Sequence, residues 1–381
     1  MKKITFLTLL LPVVIHAQPA KYVLNGKVTK LNTPAKIYLS TMMNEKLTID
    51  STDVRNGVFH FEGMVDGPIK ALLVLNPRGS YANMEALPAD ADARIFILEK
   101  GDTKITATDN IGHAHIVSPV NLEVKNYQEA LSSLDKTIRQ INRSYNKASP
   151  ARKADSAFIY HLGERFNVAQ GAIKLLQQKF LAENPGSYAS LQALTDLAGL
   201  EINPAEIAPL FQKLSPKVRS TPEGKAFSEE IERAKQLIPG ATAPDFEVPD
   251  MSGKPVRLSD FKGKIVLLDF WASWYEPSRR QHAFIRKAYE TFRNKNFTVI
   301  SIAVDPPADR QYLLDAIRED SLSWTNLSDP TKDKNDAAKT YNVKRLPQNY
   351  LIDADGVVLN KDLFGDALEQ ELNGLLSKQN H

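Results

Sequence analysis

The feature that most constrains this chain is the alternation of strand and helix patterns beyond about residue 240. Lys264–Phe270 is an apolar run that reads as a strand, followed by a helix over Pro277–Asn294 with proline in its first turn. A strand over Phe297–Val304 and a helix over Ala308–Asp320 come next. Then follow a short helix at Ala337–Tyr341, strands at Asn349–Ile352 and Val357–Asp362, and a helix over Gly365–Ser377. The last two strands form a hairpin that turns at Asp355-Gly356. Alternation of this kind specifies an α/β domain, assigned to residues 239–381. It is entered through IPGATAPDF (238–246), whose prolines, glycine and small residues read as a link.

The chain upstream is built on other periods. From Tyr22 to Val117, short strands are separated by turns, which indicates a β-sandwich domain over residues 18–118. Asn56-Gly57 is a hairpin-type turn leading into VFHFEG, where Phe59 and Phe61 alternate with Val58, His60 and Glu62. ILEKGDTKI reads as a second hairpin with Gly101 at the bend. After Pro119 the spacing changes to steps of four and three. Tyr127, Leu131, Leu134, Ile138, Ile141 and Tyr145 mark one helix face, and Phe158 to Phe180 mark another. These two predict an αα-hairpin, and shorter helices complete a helical region over 119–238. The expected class is multidomain: an N-terminal β-sandwich, a helical middle region and a C-terminal α/β domain.

Met1-Lys2-Lys3, the apolar run Ile4–Ile15 and the small residue Ala17 read as a signal peptide over residues 1–17. Its removal leaves 46 basic residues against 45 acidic, a near-neutral chain without the basic excess that nucleic-acid binding uses. A periplasmic, soluble protein with no membrane span is expected. The chain contains no cysteine. That excludes disulfides, thiolate metal ligands, a cysteine nucleophile and lipid attachment through an N-terminal cysteine.

The segment DFWASWYEPSRRQ (269–281) sits between the first α/β strand and its helix. Together with APDFEVPDMSGKPVRLSDFKGKIVLLDFWASW upstream and RLPQNYLIDADG downstream, it resembles the TlpA/ResA-like thiol–disulfide oxidoreductases, exported relatives of the AhpC/TSA group. The resemblance implies a thioredoxin fold, a central mixed sheet flanked by helices, over residues 239–381. It also implies that Pro347 is a cis-proline, preceded by Leu346 and facing the site. Residues 22–237 resemble the β region and helical insert that precede this domain in a group of exported bacterial proteins.

The departure lies at the centre. Where that family has Trp-Cys-Gly-Pro-Cys, this chain has Trp274-Tyr275-Glu276-Pro277-Ser278. In the family the first cysteine attacks a disulfide as a thiolate and the second resolves the mixed disulfide. Tyr275 and Ser278 can do neither. No catalytic residue is therefore expected, and the enzyme label implied by resemblance does not carry activity with it. In thioredoxin folds the groove beside this helix receives an extended peptide through main-chain hydrogen bonds, which needs no sulfur. Trp274, Tyr275, Glu276, Pro277, Leu346 and Pro347 are the expected binding residues. An extended peptide or an envelope protein is the expected partner, with no cofactor and no metal.

Asp269 falls where thioredoxins hold a buried acid. Two readings stand: a proton acceptor retained beside Ser278, or a structural acid bonded to a neighbouring side chain or water, which is preferred. Ser278 and His282 lie four apart and share a helix face. A Ser278–His282–Asp269 hydrolase lacks a glycine-rich elbow and an oxyanion hole, so His282 is expected to be a solvated helix residue. His113 and His115 alternate as strand residues would, but a turn without further ligands is the preferred reading.

Overall fold

The computed structural model describes residues 19–31, 35–43, 46–76, 87, 90–328 and 337–378. The expected signal peptide, residues 1–17, lies outside the described residues. The chain divides into two compact units: Met1–Leu197 with Pro209–Phe227, and Ala198–Ala208 with Ser228–His381.

The first unit opens with eight strands: β1 (Ala20–Val28), β2 (Ala35–Met43), β3 (Lys46–Val54), β4 (Val58–Val65), β5 (Ile69–Asn76), β6 (Asp92–Leu98), β7 (Gly101–Ala107) and β8 (His115–Val117). They form two four-stranded sheets, ordered β4-β1-β7-β8 and β3-β2-β5-β6. Alternate residues of β1, β4 and β7 point inward, and Leu24, Ile37, Phe59, Phe61, Leu73 and Ile105 join one buried cluster between the sheets.

Both bends stand where the sequence puts them, and the first is the hairpin-type turn expected; the second is not a hairpin. Asn56 and Gly57, with φ of 53° and 74°, form a tight turn closed by reciprocal hydrogen bonds between Arg55 and Val58. Beyond that bridge, β3 and β4 part into opposite sheets. Gly101, at φ 88°, likewise sends the chain from β6 in one sheet to β7 in the other, where β7 pairs parallel with β1. The expected second hairpin is therefore a crossing between sheets. A hairpin there would leave one inner face without its cover.

Helix α1 (Pro119–Lys147) is followed by the single turn α2 (Pro150–Lys153) and by α3 (Ser156–Glu183). Asp155 caps α3 by accepting from Ala157 N–H at 2.9 Å. Tyr127 and Leu131 of α1 pack with Ile173, Leu176 and Phe180 of α3, and with Ala189 and Ala193 of α4 (Tyr188–Ala198). The helices α5 (Pro204–Lys213), α6 (Pro216–Arg219) and α7 (Pro222–Lys235) follow.

The second unit begins its sheet region with a short hairpin, β9 (Glu247–Pro249) and β10 (Pro255–Arg257). The remaining elements are β11 (Ile265–Trp271), α8 (Glu276–Phe292), β12 (Phe297–Ala303), α9 (Arg310–Glu319), β13 (Thr325–Ser328), α10 (Ala337–Thr340), β14 (Gln348–Ile352), β15 (Val358–Lys361) and α11 (Asp366–Lys378). The sheet order is β13-β12-β11-β14-β15. The first three strands are parallel; β14 is antiparallel to β11, and β15 is antiparallel to β14. Every residue of β11 is buried, because helices cover one face of this central strand and the entry segment, the β9–β10 hairpin and α10 cover the other. Leu267 and Trp271 face a core with Ile285, Phe292 and Leu372, whereas Val266, Leu268 and Phe270 face one with Ile300, Tyr341 and Tyr350. By the same alternation Asp269 faces the α8 side.

Among the described residues, no helix is long and apolar enough to cross a membrane.

Candidate functional site

The site forms where β11 ends and α8 begins. Val304 N–H donates to Trp271 O at 2.9 Å, extending the β11–β12 pairing past the strand end. Ser273 is held next: its N–H lies 3.1 Å from each carboxylate oxygen of buried Asp305, and its hydroxyl also donates to that carboxylate. Tyr275 N–H donates to Ala272 O at 3.1 Å, which turns the chain into the helix. Tyr275 has extended backbone (φ −103°, ψ 98°) and is the last residue before α8, with Pro277 in the first turn.

The side chains then divide. Trp274 is 61% exposed, and its ring meets the half-buried Tyr275 ring edge-on at 5.6 Å between centroids. Glu276 is exposed and lies 3.8 Å from Arg280. Ser278 turns inward; it is buried and its hydroxyl has no hydrogen-bond partner. The Leu346–Pro347 bond is cis, and both residues are half-buried. Gln348, the next residue, pairs with Phe270, so Leu346 and Pro347 sit at the same end of β11 as the Trp274–Tyr275 turn.

Beneath this turn lies a buried polar cluster. Trp324 Nε1 donates to Ser301 Oγ at 2.8 Å, and Ser301 Oγ donates to Asp269 Oδ2 at 3.2 Å. Burial pushes the Asp269 carboxyl up to about 7, with the Ser301 hydrogen bond opposing weakly. His282 corrects the expectation of a solvated residue: it is 2% exposed. Its Nδ1 bonds Asp320 Oδ2 at 2.7 Å, and its ring meets Trp271 edge-on at 4.6 Å. Burial lowers the imidazole pKa, against the pull of Asp320. His282 Nε2 is unpartnered and 4.0 Å from Asp269 Oδ2. That gap is too long for a hydrogen bond, and a neutral imidazole beside a raised carboxyl makes no ion pair.

Asp320 organises the helix side. Arg279 grips it with two bonds, at 3.0 and 2.6 Å, and also reaches Glu319 at 2.8 Å. Arg286 donates to the Asp320 carbonyl at 3.0 Å. Burial would raise the Asp320 pKa, but the bonds from Arg279 and His282 outweigh it and hold the group below its ordinary value.

The cluster brings Asp269, Ser278 and His282 into one region without making a catalytic triad. No hydrogen bond joins Ser278 to His282, and the acid that orients the imidazole is Asp320. Asp320, Ser301, Trp324 and Asp305 escaped sequence reasoning. Each is brought in by a different strand or loop, and no local spacing marks it. His113 ends a short helical turn, His115 begins β8, and both are exposed.

Residues 239–361 match the model of the AhpC/TSA family, and residues 22–125 match a domain of unknown function, DUF4369. Thiol-disulfide oxidoreductase ResA of Bacillus thuringiensis subsp. konkukian (strain 97-27) is 32% identical over 141 residues, which cover 36% of this chain and 77% of that protein. The chain belongs to the ResA-like thiol–disulfide oxidoreductase family. The ResA of Bacillus subtilis (strain 168) is 28% identical over 125 residues, covering 33% of this chain and 67% of the relative. Among solved structures, the thioredoxin domain of a thiol-disulfide oxidoreductase from Bacteroides vulgatus is 31% identical, covering 37% of this chain and 99% of that one, with a TM-score of 0.35. Within the family this chain lacks the sulfur: Tyr275 and Ser278 occupy the motif positions, and no cysteine occurs anywhere.

Proposed function

We propose that this protein is a redox-silent, exported member of its family that binds an extended polypeptide segment in the groove beside Tyr275 and Pro347. The observation that carries the reading is a kept frame with replaced nucleophiles. The Tyr275 phenol stands at the helix entrance, half-buried against exposed Trp274, in a chain without cysteine. Thiol–disulfide exchange needs a thiolate attacking a sulfur, and a phenol cannot form the S–S bond. An aromatic pair beside the extended backbone of Tyr275 suits main-chain recognition of an extended segment, with the rings as anchors. The amino-terminal pattern of residues 1–17 supports export, and with it a partner met in the periplasm.

Two measurements test this. With dithiothreitol, the purified protein should precipitate insulin no faster than a blank; a clear excess rate contradicts redox silence. A permanently unfolded polypeptide, reduced and alkylated lactalbumin, should bind saturably by fluorescence titration. Tyr275→Ala and Leu346→Lys should each weaken that binding about tenfold, or ~1.4 kcal/mol. Equal affinity in wild type and both variants rejects the groove.

A further inference from the structure

Where the chain passes from α1 through α2 into α3, the three helices surround a hollow of about 600 Å³. Lys147 from α1, Arg152 from α2, and His161 and Arg165 from α3 line it, with Phe158 and Leu162 as its apolar wall. The four basic residues are exposed, and among the described residues none of them has an ion-pair partner. Asp155 is the acid in the lining. Its carboxylate accepts from Ala157 N–H at 2.9 Å, which commits it to capping α3. Glu164 neighbours Arg165 in sequence but does not line the hollow. Leaving His161 aside, Lys147, Arg152 and Arg165 set three cations against one carboxylate, a net charge of +2.

Arg152 is held in place without its donors being used. Its guanidinium carbon lies 4.8 Å over the Phe158 ring, so a face of the group stacks on the aromatic. A guanidinium donates from its edge, and a stacked face leaves that fork of N–H groups free. The next residue, Lys153, is turned elsewhere, with its Nζ 5.0 Å over the Tyr145 ring. Long basic side chains are ordinary on a surface. Gathered around one hollow they repel each other, a cost that an anion between them removes.

We infer that this hollow binds a phosphate monoester. Such a group brings close to two negative charges and three acceptor oxygens, which match a lining of net charge +2. Arginine forks take phosphate oxygens in pairs, and Lys147 adds a point charge. A carboxylate, with one charge and two oxygens, satisfies a single guanidinium. The carbon skeleton that bears the phosphate lies against Phe158 and Leu162. It belongs to a small soluble molecule or to a lipid.

Calorimetric titration of the purified protein with glycerol 3-phosphate, to about 10 mM, tests the site. Saturable binding is expected, weakened by added salt, with none to acetate at the same concentration. Arg152→Gln and Arg165→Gln should each weaken it about tenfold or more. Arg139→Gln removes the same charge from an exposed part of α1 outside the hollow and should leave binding unchanged. All three variants should keep the wild-type melting temperature. Co-sedimentation with phosphatidylcholine vesicles, with and without phosphatidic acid, distinguishes the sources. Binding of glycerol 3-phosphate without retention on vesicles assigns a soluble ligand. Retention that requires phosphatidic acid and is lost in Arg152→Gln assigns a lipid headgroup. Binding to neither overturns the inference. An effect of Arg139→Gln equal to that of Arg152→Gln overturns the hollow as the site, and acetate bound as tightly as glycerol 3-phosphate overturns the ligand class.

Discussion

Among the described residues, the Asp269 carboxyl has the hydroxyl of Ser301 as donor and no counter-charge within hydrogen-bonding distance, so burial decides its protonation state. The folded state keeps a proton that the unfolded chain releases above about pH 4, and gives it up near 7. The stability tied to this group is therefore full below about pH 4 and is lost as pH rises through about 7. Asp269→Asn removes the loss. Urea unfolding should show the variant gaining on wild type between pH 5 and pH 8, by at most ~3 kcal/mol; parallel profiles would show that the carboxyl is already ionised. His282 acts in the opposite sense. Its lowered pKa makes protonation unfavourable in the fold, so stability falls as pH drops through the ordinary imidazole range near 6.5. Asp320→Ala should be the more damaging change, because it strands His282 Nδ1 and the Arg279 guanidinium together. A cost of about 2–4 kcal/mol is expected in chemical denaturation. A cost within ~0.5 kcal/mol would mean that the network is solvated.

At the scale of elements, the strands of the β-sandwich depend on one close approach. Gly26 of β1 lies directly opposite Phe59 of β4, and a Cβ there would fall 1.9 Å from the Phe59 ring. The aromatic ring occupies the space above the glycine, inside the core. Gly26→Ala should thus cost about 1–3 kcal/mol by overpacking, read as a lowered melting temperature. Adding Phe59→Leu should recover part of the loss, and additive losses would refute the contact. The strands themselves were legible in the sequence, since Phe59 and Phe61 show the period of two and Asn56-Gly57 and Gly101 show the bends. Their pairing was not legible. Turn chemistry is local, whereas the choice of sheet depends on which apolar face needs covering, and for β4 and β7 that is settled by their shared partner β1, far away in sequence. His282 was misread for a related reason. A polar residue on a helix was given to solvent, but the acid that makes its burial tolerable, Asp320, lies at the end of another helix.

For the molecule as a whole, the frame of the site was readable and its interior was not. The alternation after residue 240 and the helix entrance at Tyr275 follow from residues close in sequence, and the cis Leu346–Pro347 bond is the one the family resemblance implies. The cluster under the entrance is assembled from β11, β12, α8 and the end of α9, so only the fold brings it together. This separation makes a decisive experiment possible, because the frame can be tested apart from the missing chemistry. Tyr275→Cys puts sulfur at the helix entrance, where the first N–H groups and the helix dipole favour a thiolate. Ser278→Cys puts a second sulfur in the first turn, at a buried position whose present hydroxyl has no partner to lose. Glu276→Gly removes an exposed carboxylate that would oppose ionisation of the neighbouring thiol. The triple variant should form an intramolecular disulfide on mild oxidation, shown by loss of both titratable thiols, and should then accelerate insulin reduction above the blank. Each single cysteine variant should do neither. A triple variant whose thiols both stay free would mean that the entrance geometry no longer brings the two positions together. A disulfide without insulin reduction would place the divergence in the groove that receives the polypeptide, leaving the frame intact.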